Sequence, residues 1–239
     1  MAGRGSDSGE RRAPPAAPPA TPFATPLATP ARLGRSLGGR LPARGQAIGL
    51  LGGSFNPAHA GHLHISREAL KRLGLDEVWW LVSPQNPLKE RQGMAPLAER
   101  LAFAREVARH PRIRVTDLER LLGTRHTAES LKRLCKHLPG CRFVWLMGAD
   151  NLVQIDRWHD WTQIFNRLPV AALARPSYSI RASTSKAATR FRKRRLSGRM
   201  ARRLAKQPPP AWVLLRIRLS KLSATGLRQA GRAAPRCQP

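Results

Sequence analysis

The sequence predicts an α/β fold built on an open, doubly wound sheet of parallel strands. Two observations carry this: from residue 46 onward short apolar runs alternate with amphipathic helical stretches, and the first such run ends in a glycine turn that opens a helix. Size agrees, because 239 residues suffice for one α/β domain with a buried core.

The elements follow in order. Residues 1–46 carry eight prolines and a loose Ala-Thr-Pro repeat, too little apolar surface to fold, so residues 1–45 are expected to be a disordered extension. Ala47-Ile48-Gly49-Leu50-Leu51 reads as the first strand, ended by Gly52-Gly53, with a helical pattern over 61–73. Residues 77–83, with Val78, Trp79, Trp80, Leu81 and Val82, read as a buried strand whose tryptophans belong to the core. A helix over 96–109 shows Leu97, Leu101, Ala104 and Val107 on one face, and 113–115 is a short strand. A helix over 126–137, a strand over 142–147, a helical stretch over 149–165 and a strand over 168–174 complete the alternation. Residues 181–206 hold eleven Lys/Arg and no acid, with Phe191, Leu196, Met200 and Leu204 spaced for a basic helix. Pro208-Pro209-Pro210 ends it, 212–217 is a strand, and 222–225 leads into a last helical turn. Strand–helix alternation implies right-handed βαβ crossovers and a Rossmann-like sheet, with the ligand crevice beyond the carboxyl ends of the strands. The boundaries expected are a single domain over 46–230 and a flexible tail over 231–239.

Charge is concentrated at the ends. Residues 48–180 hold nineteen Lys/Arg against twelve acids, whereas 181–239 hold seventeen and none. Such ends suit polyanions or solubility rather than a fold, so nucleic acid is expected at most as a non-specific partner of the basic tails. No run of eighteen apolar residues exists, which excludes a helical membrane span. The alternating Pro, Thr and Ala near the N-terminus interrupt any secretory apolar core, and Cys135, Cys141 and Cys237 form an odd, sparse set; both point to a cytoplasmic protein.

The densest chemistry lies at Gly52-Gly53-Ser54-Phe55-Asn56-Pro57-Ala58-His59-Ala60-Gly61-His62. Glycines let backbone approach a ligand closely, and a helix opening near Gly61 turns its unpaired N–H groups toward the same crevice, where phosphate binds. His59 and His62 at the loop–helix junction supply hydrogen-bond donors for phosphoryl oxygens whose charge builds in a transition state. The spacing is neither a Walker loop nor a G-x-G-x-x-G dinucleotide fingerprint. His59, His62 and His64 also fit a metal cluster, but the glycine context favours an anion, and no protein metal ligand is assigned.

The loop resembles the Gly-x-Phe-Asn/Asp-Pro-x-His-x-Gly-His motif of the HxGH nucleotidyltransferases. Four further pieces in the same order are similar to the bacterial nicotinate-nucleotide adenylyltransferases: 79–89 with Ser83-Pro84-Gln85-Asn86-Pro87, 124–131 with Thr127, Met147-Gly148-Ala149-Asp150-Asn151 with Trp158 downstream, and 174–178, followed by a fifth, Leu222-Ser223-Ala224-Thr225-Gly226-Leu227-Arg228. The resemblance spans residues 46–229. It implies transfer of AMP from ATP to nicotinate mononucleotide, with release of pyrophosphate, in NAD biosynthesis. By the same resemblance His59 and His62 are catalytic; Gly52, Gly53, Ser54, Phe55, Lys89, Asp150, Arg175, Ser223, Thr225 and Arg228 bind ATP or its phosphates. Thr127 and Trp158 hold the nicotinate, and Mg²⁺ arrives with the triphosphate. The chain departs from the pattern at Asn56, His126, His159 and Ala224, where relatives commonly carry Asp, Tyr, an aromatic residue and Ser; the two histidines bear on the choice of acceptor. Related transfers to nicotinamide mononucleotide or phosphopantetheine, or nucleic-acid binding on a Rossmann-like core, are the alternatives.

Overall fold

A computed structural model describes residues 29–84, 94–174 and 179–217. Its centre is a seven-stranded sheet in the order β3-β2-β1-β4-β5-β7-β6, every neighbouring pair parallel. The strands are β1 (Ala47–Gly53), β2 (Glu77–Val82), β3 (Ile113–Thr116), β4 (Arg142–Gly148), β5 (Val170–Ala174), β6 (Arg195–Leu196) and β7 (Trp212–Arg216). The helices are α1 (Pro30–Ser36), α2 (Ala60–Leu73), α3 (Leu97–Val107), α4 (Leu118–Leu121), α5 (Thr127–His137), α6 (Ala149–Gln154), α7 (Trp161–Arg167), α8 (Ser179–Ser183) and α9 (Lys186–Arg190). None is long and apolar enough to cross a membrane.

Alternation along each strand builds a core on either side of the sheet. Ile48, Leu50, Trp79, Leu81, Phe143, Trp145 and Met147 share one face with α1 and α4–α9. Leu51, Val78, Trp80, Val82, Val144 and Leu146 share the other with α2, α3 and the segment 198–206. The chain runs outward from β1 to β3 and then returns to β4 on the other flank of β1. The order therefore reverses between β1 and β4, and a parallel sheet opens its crevice at that point, past the carboxyl ends.

Three expectations are corrected. Residues 29–45 are ordered rather than part of a disordered extension: Pro30 opens α1, the Thr29 hydroxyl accepts from the Arg32 N–H at 3.4 Å, and Leu33 and Leu37 are each 1 % exposed in the core. The average composition of the proline-rich stretch hides this local i,i+4 apolar pair. Residues 149–165 are not one helix but α6, a 3₁₀ turn over Ile155–Arg157, and α7, with Asp160 in the left-handed region at φ 50°. Residues 181–206 are likewise not one basic helix but α8, α9, two 3₁₀ segments and β6. The reason is where the apolar side chains go. Phe191 stacks on Phe165 at 4.5 Å on one face of the sheet, whereas Ala201 and Leu204 bury themselves on the other. A single straight helix cannot reach both faces, so the segment bends round the β6–β7 edge. The last expected helical turn, after 222–225, and the tail 231–239 lie outside the described residues.

Candidate active site

The site is assembled where β1 and β4 end. Gly52 admits no side chain, because a Cβ there would lie 2.4 Å from Trp145 Cη2, which crosses beneath it. The loop after Gly53 then turns sharply at Phe55, φ 45°. The Phe55 ring is 2 % exposed, stacked on Trp80 at 4.9 Å and 4.7 Å from the His62 ring. Phe55 was expected among the ATP-binding residues. Its side chain is a buried anchor, which leaves the backbone at that position to face a ligand.

The two histidines cap α2 reciprocally. His59 Nδ1 accepts from the Gly61 N–H at 3.1 Å, and His62 Nδ1 accepts from the His59 N–H at 3.2 Å. The rings lie 3.9 Å apart. An imidazole nitrogen that accepts from a backbone N–H carries no proton, so each neutral ring holds its proton on Nε2 and donates from that side. Ser66 Oγ donates to the His62 carbonyl at 2.9 Å and accepts from Trp80 Nε1 at 2.7 Å, which ties the cap to the core.

Beyond β4, Gly148 precedes α6, and Asp150 lies in the first helical turn. A Cβ on Gly148 would lie 2.2 Å from Asp150 Oδ1, so only glycine allows this exposed carboxylate to fold back over the strand end. The residues expected to hold the nicotinate also converge: Thr127 begins α5, Trp158 packs partly buried on the core, and the neighbouring His126 and His159 rings stack at 4.4 Å, 20° apart. His159 Nδ1 lies 3.3 Å from Asp160 Oδ2. Lys89, Arg175, Ser223, Thr225 and Arg228 lie outside the described residues.

Two residues that sequence reasoning missed hold this frame. Arg100, 3 % exposed, donates from Nη1 to the carbonyls of Ser54 at 2.6 Å and Ser83 at 2.8 Å, from Nη2 to Pro84 at 3.0 Å, and from Nε to Ala95 at 2.9 Å. It therefore joins the glycine loop to the end of β2, and burial lowers its pKa. The Asn56 side-chain oxygen accepts from the Ala95 N–H at 3.3 Å, a role that does not need the Asp of relatives. Glu119, in α4, is 7 % exposed; burial pushes its carboxyl up to about 7, against the opposing pull of a hydrogen bond with Ser83. No spacing signal marks either residue, because their partners are backbone carbonyls and a serine distant in sequence.

Residues 50–230 match the cytidylyltransferase-like family. The chain is 56 % identical over 185 residues to the "probable nicotinate-nucleotide adenylyltransferase" of Cereibacter sphaeroides, covering 77 % of this chain and 97 % of that one. It is 51 % identical over 187 residues to the protein of the same name from Ruegeria pomeroyi, covering 78 % and 87 %. The chain belongs to the nicotinate-nucleotide adenylyltransferase family. It is thus a nucleotidyltransferase, as the five ordered motifs indicated. Plasmodium falciparum nicotinic acid mononucleotide adenylyltransferase complexed with NaAD shares the fold, at TM-score 0.60 and 16 % identity over 77 % of this chain and 83 % of that one. Its complex with APC aligns with TM-score 0.58.

Proposed function

We propose that the chain transfers AMP from ATP to nicotinate mononucleotide, giving deamido-NAD and pyrophosphate for NAD biosynthesis. The observation that carries this reading is the double histidine cap at the end of β1, which fixes two Nε2–H donors beside a glycine loop. In the reaction a phosphate oxygen of the mononucleotide attacks the α-phosphorus of ATP, forming one P–O bond as the α–β bridging P–O bond breaks and pyrophosphate departs. The attacking phosphate is already an anion, so no general base is needed, and catalysis reduces to alignment and charge neutralisation. His62 and His59 donate to phosphoryl oxygens as charge builds on them, and the backbone of Gly52, Gly53 and Ser54 leaves room for the phosphates. By resemblance Asp150 accepts from a ribose hydroxyl, Lys89 and Arg175 neighbour the phosphates, and Ser223, Thr225 and Arg228 hold the pyrophosphate. The acceptor sits between the start of α5 and Trp158, with Thr127 at its carboxylate. Mg²⁺ bound to ATP would neutralise charge on the phosphates, and among the residues placed here Asp150 is the carboxylate that would suit such a hard cation. Free thiols at Cys135 and Cys141 support a cytoplasmic location.

The test is pyrophosphate release from ATP with nicotinate mononucleotide, nicotinamide mononucleotide and phosphopantetheine as parallel acceptors. Donors matched to a carboxylate are poorly matched by an amide, at a cost of about 1–3 kcal/mol, so kcat/KM should favour nicotinate roughly ten- to a hundredfold over nicotinamide. Equal use of both mononucleotides, or a preference for phosphopantetheine, contradicts the reading.

A further inference from the structure

The segment 181–206 carries a basic surface that leads from α8, which packs on α6, to the amino end of the sheet. All eleven Lys/Arg of residues 181–206 are exposed, and no acid accompanies them. Among the described residues their sole ion pair is Lys186 Nζ to Asp156 Oδ2, at 3.8 Å. Elsewhere the arginines that meet carboxylates do so closely, as Arg114 does Glu77 and Arg120 does Asp117, each at 2.6 Å. From Arg192 onward the cations sit along the β6–β7 edge, toward the amino end of the sheet: Arg195 is level with Trp212, the first residue of β7, and the Arg202 stem comes within 3.9 Å of a Cβ placed on Gly74, in the turn before β2. On α2, which packs against 198–206, Arg67, Lys71 and Arg72 outnumber Glu68.

An edge strand needs only a charge or two to discourage pairing, and a surface shaped for solubility mixes both signs. A bent belt of one sign is neither; its charges add to a directed positive field. We propose that the 181–206 edge is a nucleic-acid-binding surface that grips the phosphodiester backbone without reading sequence. Eight of the eleven cations are arginines, whose planar fork matches phosphate oxygens. The aromatic residues at hand are turned inward, Phe191 at 8 % and Trp212 at 0 % exposed, so no platform stacks a base and only backbone contacts remain. A membrane fits less well. The segment is broken into short pieces rather than one amphipathic helix, and its exposed large apolar residue is Met200, with Ile180 just before it.

The test is fluorescence anisotropy of the full chain with two labelled probes, a 20-base-pair DNA duplex and a 20-nucleotide RNA, between 50 and 200 mM salt. Six or more phosphate contacts should weaken binding to the preferred probe by about 10³-fold across that range. The variant Arg192→Gln/Arg194→Gln/Arg199→Gln/Arg203→Gln should bind about tenfold or more weakly at 50 mM and flatten the salt slope by roughly two to four, with adenylyl transfer unchanged. Arg232→Gln/Arg236→Gln, in the C-terminal tail, should change binding less than about threefold on the same scale. Wild-type affinity in the four-residue variant, a loss confined to the tail variant, or tighter binding to phosphatidylglycerol vesicles than to either nucleic acid overturns the proposal.

Discussion

The two ends of the sheet handle positive charge in opposite ways. At the carboxyl end a buried guanidinium is consumed by four carbonyls and two imidazoles are locked by backbone N–H groups. At the amino end the β6–β7 edge leaves its cations exposed, and among the described residues no cation of 192–206 pairs with a carboxylate. The contrast separates two uses of charge. A reacting phosphate needs donors fixed in geometry before it arrives, which burial and hydrogen bonds supply. A long polyanion needs only many mobile cations of one sign, whose attraction is long-ranged and screened by salt.

Substitutions at the carboxyl end should therefore be costly and those at the amino end nearly silent for folding. Arg100→Ala strands several carbonyls around an emptied site and should lower unfolding free energy by about 3–5 kcal/mol while reducing kcat. Arg100→Lys should recover little, since an ammonium cannot span the same fork. Chemical denaturation checks both, and a loss below about 1 kcal/mol would mean the clamp is dispensable.

Support for the carboxyl end extends into the residues before β1. Ser36 Oγ donates to Asp117 Oδ1 at 2.9 Å, joining α1 to the entry of α4, and Leu33 of α1 is buried in the core. Leu33→Ala should cost about 2–4 kcal/mol, read as a lower denaturation midpoint. An unchanged midpoint would show that α1 contributes nothing to the core.

Glu119 gives the comparison a pH dependence. Its carboxyl is raised from 4.5 to about 7, so the folded chain holds that proton where the unfolded chain has released it. Stability contributed by the protonated form is then complete below about 4.5 and is lost as pH rises to about 7. Glu119→Gln removes the titration. Relative to wild type the variant should gain about 3 kcal/mol between those limits, followed by denaturant melts at several pH values. Parallel stability curves would mean that the wild-type carboxyl is not raised. The smallest effect belongs to the other end: neutralising Arg192, Arg194, Arg199 and Arg203 should move unfolding free energy by no more than about 0.5 kcal/mol each.

Much of this was legible in the sequence, and the physical reasons differ by region. Strands β1, β2, β4 and β5 are buried on both faces, so each is a run of apolar residues that periodicity finds easily. The His59–His62 loop was legible as chemistry because its glycines and imidazoles are adjacent in sequence. Its reciprocal capping, and hence the tautomer, was not, since that depends on which nitrogen meets which backbone N–H. α1 was hidden by the prolines around it. The basic segment was misjudged as a helix because a spacing of apolar residues does not say on which face of a sheet each one ends. Arg100 and Glu119 left no trace, their partners being main-chain groups or a serine brought near only by folding.

The central claim is that the cap makes His62 an Nε2–H donor to the transferring phosphoryl group. Its most direct test is the kcat for pyrophosphate release by His62→Ala at saturating ATP and nicotinate mononucleotide, with the melting temperature measured alongside. Loss of one preorganised donor predicts a fall of about 10²- to 10³-fold in kcat, with KM for ATP much less affected. A correctly folded variant with kcat within about threefold of wild type, where removal of such a donor should cost far more, would contradict it.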